Sequence, residues 1–332
     1  MKNIICAVVL YLMFLCLNGC AGETQAAPVT ATACSDATQS VTAPSETMPP
    51  VSTAEAVMAA PPEAAAPVVL EAEAPGILEE RCDSAVIDWS NAADGYVMVC
   101  YSAETQQRLK VLVKGPTTTY TYNLQPESWT VFPLSDGNGA YQVSIYENVY
   151  DSKYAAVLSA ELEVTLADEF APFLRPNQYV DYSASSAAVA KGAELTEGLT
   201  EPLEKVAAVY DYVVATLSYD YDRAATVQSG YLPVQDQVLE EKKGICFDYA
   251  ALMTAMLRSQ QIPCKLVVGF AGQTYHAWIS VWTREHGWVD GVIFFDGQTW
   301  KRMDPTFASS AKGDSGIMDF IENGDYTVKY LY

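Results

Sequence analysis

The chain has 332 residues, half of them hydrophobic and 11% aromatic, enough for two domains with buried cores. Its 41 acidic and 19 basic residues leave a formal net charge of −22. That argues against nucleic acid as a partner, because phosphate binding needs clustered Lys and Arg, and the two histidines, His276 and His286, leave few candidates for imidazole chemistry.

The chain opens MKNIICAVVLYLMFLCLNGCAG, one Lys followed by an apolar run from Ile4 to Leu17 and then small residues. Those 14 residues fall short of the ~20 that span a bilayer, whereas the short apolar core of a secretory signal fits. Leu17-Asn18-Gly19-Cys20 resembles the lipobox of bacterial lipoproteins, which implies a signal over residues 1–20 and lipidation at Cys20. An ordinary cleaved signal and an uncleaved anchor are the alternatives. All three export the chain, and the lipobox predicts a membrane-anchored lipoprotein on the bacterial cell surface.

Residues 21–80 hold 8 of the 17 prolines and no aromatic, Lys or Arg. Such a composition cannot offset its ordering entropy by burial, so it predicts a disordered tether, with an end-to-end distance of roughly 40 Å. From Arg81 the pattern turns to short β-rich runs: SAVIDWS, GYVMVCYS, LKVLVKG, TTTYTYNL, YQVSIYENV and AELEVTL, punctuated by Gly, Pro, Asn and Asp. The spacing predicts an antiparallel Ig-like β-sandwich over 81–168. Nothing in it has a catalytic spacing, which leaves it the role of spacer or binding module. Cys82 and Cys100 both fall in this region and form the preferred disulfide pairing; no disulfide at all is the alternative.

FAPFLRPNQ (170–178) reads as a link to a second domain over 177–332. There Leu203, Val206, Val209, Tyr210, Val213, Val214 and Leu217 recur at helical spacing after a Glu201-Pro202 start. A long polar loop is expected from there to Glu241.

The next stretch, EKKGICFDYAALM, puts a cysteine at the start of a helix. Phe247, Ala250, Ala251, Met253, Met256 and Leu257 form its apolar side, and Arg258 and Pro263 mark its end. Cys246 is thereby at the helix N-terminus, where peptide dipoles favour a thiolate, with Lys242 and Lys243 as further sources of positive potential. Residues 265–272 and 273–282 read as strands, the second with His276, Trp278, Ser280 and Trp282 on one face. In QTWKRMDPTF, Trp300, Arg302 and Asp304 share a face. If these last two strands pair in antiparallel fashion, His276 approaches Asp304, and with Cys246 they supply nucleophile, base and orienter.

The order Gly-Ile-Cys246 followed by a helix, then Tyr275-His276-Ala277-Trp278, then Asp304-Pro305-Thr306 resembles the transglutaminase-like superfamily of papain-related cysteine enzymes. Leu217-Ser218-Tyr219-Asp220 is similar to that family's segment before the cysteine. The resemblance covers residues 180–310 and implies an α+β fold, a Cys-bearing helix packed on an antiparallel sheet, with a Cys246–His276–Asp304 triad. The interval between His276 and Asp304 is longer than in the simplest members; the Met-Asp-Pro-Thr context selects Asp304, with Asp296 as the fallback.

Tyr275, Trp278 and Trp288 are the candidates for a substrate groove, although aromatics at strand spacing ordinarily belong to a core. Nothing in the sequence has zinc spacing, and no metal or cofactor is implied. The expected enzyme is a monomeric peptidase or amidase acting on a protein or peptide, cell-wall peptide included, through a thioester. A transglutaminase cross-linker and a non-catalytic surface binding protein are the alternatives.

Overall fold

The computed structural model describes residues 66–290, 293–295, 300–302, 306 and 325–332, all within one unit, Ala59–Tyr332. The expected signal with Cys20, most of the expected tether, and Asp296 and Asp304 lie outside the described residues.

Alternation of large apolar and polar side chains drives the strands between residues 79 and 164: β1 (Glu79–Arg81), β2 (Ala85–Asp88), β3 (Tyr96–Tyr101), β4 (Leu109–Lys114), β5 (Thr119–Leu124), β6 (Trp129–Pro133), β7 (Gly139–Tyr150) and β8 (Lys153–Val164). In β4 and β5 Leu109, Val111, Val113, Tyr120, Tyr122 and Leu124 are buried while Lys114, Thr119 and Thr121 are exposed. The strands form two antiparallel four-stranded sheets, ordered β1-β2-β3-β6 and β5-β4-β7-β8. Each of the six predicted runs contains or enters a strand. β6 was not among them: it carries an exposed Trp129 and ends in Pro133, which blurs the alternation, and its pairing with β3 makes it a strand.

The last part of the stretch read as a tether is already hydrogen-bonded to the body. Val68 N–H donates to Ser259 O at 2.9 Å, Gly76 N–H to Asp88 Oδ2 at 2.6 Å, and Val69 packs against the core. These apolar residues supply the burial that the composition upstream lacks. Cys82 and Cys100 are free thiols, so the preferred disulfide is not formed. Cys82 follows β1 and Cys100 lies on β3, with β2 between them. Two strand spacings come to about 9.6 Å, beyond the ~7 Å Cα separation a disulfide can bridge.

Beyond a short 3-10 turn at Ala171–Phe173, α1 (Ala187–Leu195), α2 (Pro202–Thr216), β9 (Ser218–Tyr219), α3 (Tyr221–Thr226), α4 (Gln235–Glu241), β10 (Lys243–Gly244) and α5 (Cys246–Ser259) follow. Pro202 opens α2, which buries Val206, Val209, Tyr210 and Val213 as its spacing predicts. The expected polar loop to Glu241 instead holds two short helices. Asp220 caps α3 by accepting the Arg223 N–H at 3.0 Å, and α4 inserts Val238 into the core. Helix α1 carries no large amphipathic stripe. Its Gly192 lets it lie against α5, since a Cβ there would sit 3.0 Å from Met256 O.

Residues Asp248 to Ser259 of α5 are all buried, so this helix is enclosed on every side rather than along one face. It packs on α1, α2, α4 and a sheet made of β11 (Cys264–Ala271) and β12 (Thr274–Thr283), flanked by β13 (Gly287–Asp290) and, later in the chain, by the terminal strand. Strands β14 (Ile293–Phe295) and β15 (Trp300–Arg302) pair with each other, and β16 (Tyr326–Leu331) pairs with β11 in the order β13-β12-β11-β16. Asp304 itself lies outside the described residues; among them β12 binds β11 and β13, and β15 binds β14, so the expected pairing of the His276 strand with the strand before Asp304 is not seen there. The residues between them form strands of their own.

The first two sheets and the helical part share one hydrophobic core. Tyr122 of β5 meets Tyr179 and Tyr332 at ring-centroid distances of 5.6 and 5.8 Å. Arg258 is fully buried; its guanidinium donates to the main-chain oxygens of Cys264 at 2.9 Å, Arg175 at 2.6 Å and Tyr332 at 2.7 Å. One side chain thereby links α5, β11, the inter-sheet connection and the end of β16.

Candidate active site

Cys246 occupies the first position of α5 because the residues before it cannot extend the helix backwards. Lys242 ends α4 with φ +53°, Lys243-Gly244 runs as a strand parallel to Ser218-Tyr219, and Ile245 is extended at φ −95°, ψ 176°. Gly244 has no room for a side chain: a Cβ would lie 2.6 Å from that of Asp248. Asp248, three residues into the turn, accepts the Ile245 N–H at 2.8 Å and the Tyr231 hydroxyl at 2.7 Å, with Arg223 Nη1 at 3.5 Å. Arg223 also pairs with Asp220 and Glu241, and Lys243 Nζ lies 3.1 Å from Asp220. Lys243, expected beside the thiol, is thus engaged by Asp220, and neither it nor Lys242 lines the cavity described next.

Burial pushes the Asp248 carboxyl above its usual range, while the Ile245 N–H, Tyr231 and Arg223 pull it back. The folded chain thus holds that proton more tightly than the unfolded chain, whose value is near 3.8. Stability from this group is present below the unfolded pKa and is lost as pH rises through the folded one. Asp248→Asn is expected to flatten the fall in urea midpoint above pH 4 on the way to neutrality. An unchanged slope would show that another group carries it.

Cys246 is half-buried and opens on a cavity of about 600 Å³ that His276 also lines. His276 lies on β12 opposite Gly269, is 4% exposed, and stacks on Trp278 with ring centroids 6.2 Å apart. His286 is exposed in the turn after β12, where its N–H donates to Thr283 Oγ1 at 3.2 Å. Of the three groove aromatics, Tyr275 lines the cavity. Trp278 is buried behind His276 against Tyr326, ring centroids 5.2 Å apart. Trp288 packs on Phe173 with Lys265 Nζ 3.6 Å above its ring, and borders a separate cavity of about 320 Å³. Strand alternation selects aromatic rings but cannot tell which face is left uncovered.

The cavity walls include residues that the sequence reading did not assign to a groove. Tyr179, Tyr219, Tyr231, Tyr330 and Tyr332 face it, as do Phe247 and Thr121 of β5. The stretch Val227–Tyr231 forms another wall, held down by the Tyr231–Asp248 bond. Thr121 shows that the first β-region contributes directly to this cavity. Their available signal was an excess of tyrosine, 21 against 10 phenylalanines, in segments that pattern alone assigns to core.

Burial and the neighbouring Cys246 raise the Tyr219 hydroxyl to about 12; burial, Tyr330 and Cys246 also raise Tyr275. The cavity therefore holds a thiol, an imidazole and neutral phenols, a set suited to nucleophilic attack with proton transfer.

Residues 189–305 match the family model of the transglutaminase-like superfamily. The protein YebA of Bacillus subtilis, itself uncharacterised, is 26% identical over 140 residues, which are 37% of this chain and 19% of YebA. A protein-glutamine gamma-glutamyltransferase of Pseudomonas aeruginosa is 28% identical over 111 residues, 29% of this chain and 16% of that enzyme. The chain spans less than a fifth of the length of either relative. Among solved structures, the periplasmic domain of TgpA from Pseudomonas aeruginosa, bound to ethylmercury, is similar at 17% identity and a TM-score of 0.31, covering 70% of this chain and 75% of that one. The helix that starts on Cys246 and the strand that carries His276 lie within the matched stretch, and residues 189–305 of this chain are a transglutaminase-like domain.

Proposed function

We propose that this chain is an exported, lipid-anchored thiol enzyme that cleaves amide or peptide bonds through Cys246, His276 and Asp304. The observation that carries the reading is the joint exposure of Cys246 and His276 to one cavity. Cys246 Sγ attacks the amide carbonyl carbon, its proton passing to His276, and the C=O electron pair moves onto oxygen. When the tetrahedral intermediate collapses, the C–N bond breaks and His276 returns the proton to the leaving nitrogen. A thioester remains on Cys246. Asp304, chosen for its Met-Asp-Pro-Thr context, orients the imidazole and stabilises its charged form.

Water then attacks the thioester with His276 as base, releasing a carboxylic acid and restoring the thiol. Hydrolysis is preferred because water needs no second binding site. The substrate is a protein or peptide, cell-wall peptide included; the enzyme works as a monomer at the bacterial surface, tethered through Cys20.

Incubating the chain with a glutamine-containing peptide and a labelled primary amine tests the choice. The expected result is release of ammonia with less than a tenth of the acyl groups carrying the amine. Predominant amine incorporation would make the chain a cross-linker instead. A Cys246→Ala variant with unaltered turnover would overturn the thiol chemistry, whereas a parent without turnover whose ligand binding survives Cys246→Ala would favour the binding-protein reading.

A further inference from the structure

Resting on the thiol chemistry above, we propose that the open edge of β5 binds the main chain of the acyl donor: an extended peptide joins the first β-region as an added strand at Thr121, which lays its reacting carbonyl beside Cys246. β5 is the outermost strand of its sheet and has β4 as its neighbour there. The bond from Gly115 N–H to Thr118 O, 2.8 Å, closes the β4–β5 turn and sets the phase of the ladder. From that pair the bonded positions alternate, Val113 with Tyr120 and Val111 with Tyr122, so Leu112 faces Thr121 without bonding it. The other side of β4 agrees. The Asn148 N–H donates to Arg108 O at 2.9 Å, and two steps of the same alternation bond Leu112 to Ser144 of β7. The Thr121 N–H and C=O therefore point away from the sheet, and among the described residues neither has a hydrogen-bond partner.

Two residues on, the edge is closed. Asn123 O accepts the Gln178 side chain at 2.7 Å, which confirms the outward direction of this row, and Gly230 lies so near Asn123 that a Cβ would meet its Nδ2 at 2.5 Å. Thr121 itself is exposed and lines the cavity that Cys246 and His276 share. The strand that presents it is held in place, because Tyr120 and Tyr122 turn to the opposite face and meet Tyr330 and Tyr332, ring centroids 5.8 Å apart in both pairs. An open edge is a template for another chain, and folded proteins ordinarily cover or blunt it; here it stays open where it borders the thiol. A donor and an acceptor on one edge residue match the main chain of an extended peptide, whatever its side chains. The volume of about 600 Å³ is that of a ligand site. The first β-region is thereby part of the substrate site rather than a spacer.

Two esters that react alike but differ in chain length test this in the full chain: the p-nitrophenyl esters of acetyl-alanine and of acetyl-tetraalanine. The longer ester is expected to acylate the parent about 10-fold faster at low concentration, the worth of one to two net main-chain hydrogen bonds. Thr121→Pro removes the outward N–H, which edge strands tolerate, and should erase that advantage while the short ester keeps its rate. Thr121→Ala, which keeps the main chain, should preserve it. N-methylation of the longer ester, one residue at a time, should cost the advantage at alternate residues only, as pairing along one edge requires. Equal rates of the two esters on the parent, or an advantage that survives Thr121→Pro, would overturn the proposal. If Thr121→Pro loses both reactions, the N-methyl series on the parent decides, and uniform tolerance of methylation overturns it. An acylation burst that persists in Cys246→Ala would instead sink the thiol chemistry, and the β5 site would fall only as its consequence.

Discussion

Replacing His276 with alanine is expected to lower Cys246-dependent acyl transfer by on the order of 10³-fold, because the thiol then loses its base and the leaving nitrogen its acid. The pairing of β12 with β11 sets His276 opposite Gly269 at the cavity wall that Cys246 shares. The ring is 4% exposed and stacked on Trp278, so its orientation is held by packing. His286 cannot substitute, since it lies in the turn beyond β12, bonded to Thr283. The measurement is kcat on an activated ester or peptide amide for His276→Ala and His286→Ala, with near-UV circular dichroism as the folding check. A loss below ten-fold in His276→Ala, with the fold intact, would mean that the proton goes elsewhere.

The largest effect on stability is expected at Arg258. Arg258→Met keeps the volume but removes three charge-assisted hydrogen bonds to the main-chain oxygens of Cys264, Arg175 and Tyr332, of which Tyr332 O keeps the Leu266 N–H as a donor. An unsatisfied buried acceptor costs ~1–3 kcal/mol, and relief from burying the guanidinium offsets part of the sum. A net loss of about 4 kcal/mol is expected, read as a lower urea midpoint. Arg258→Lys should recover less than half of it, because one ammonium cannot reproduce a planar fork aimed at three carbonyls. If Arg258→Met is as stable as the parent, those oxygens have found water or other donors, and the guanidinium is not the link between the segments.

Local pattern made much of the fold legible. The β-runs of the first region, Pro202 at the start of α2 and the strands at 265–272 and 273–282 all depend on periodicity within a short window, which a sequence displays directly. The position of Cys246 at a helix start was readable for the same reason, since Gly244 and the apolar run after Phe247 mark it from both sides. The errors have a different origin. Residues 218–241 read as loop because α3 and α4 are too short to show a period, and each needs a tertiary partner: Asp220 as cap for one, the core around Val238 for the other. Among the described residues the histidine strand pairs with β11 and β13 and not with β15, because strand partners are chosen by register and coverage across the sheet; Asp304 itself lies outside them.

By itself the sequence determined which side chains are available for chemistry and in what order: one cysteine poised at a helix tip, two histidines, and a family motif that joins Cys246 to His276. Covalent order and local periodicity carry that information without reference to the rest of the chain. Only the tertiary structure decided which of those groups face a common space. It turned Trp278 into the support behind His276, moved Trp288 to a different cavity, drew Lys243 onto Asp220, and brought Thr121 and Tyr219 to the walls around the thiol. The physical reason is that a cavity is what close packing leaves unfilled, and this depends on every long-range contact at once.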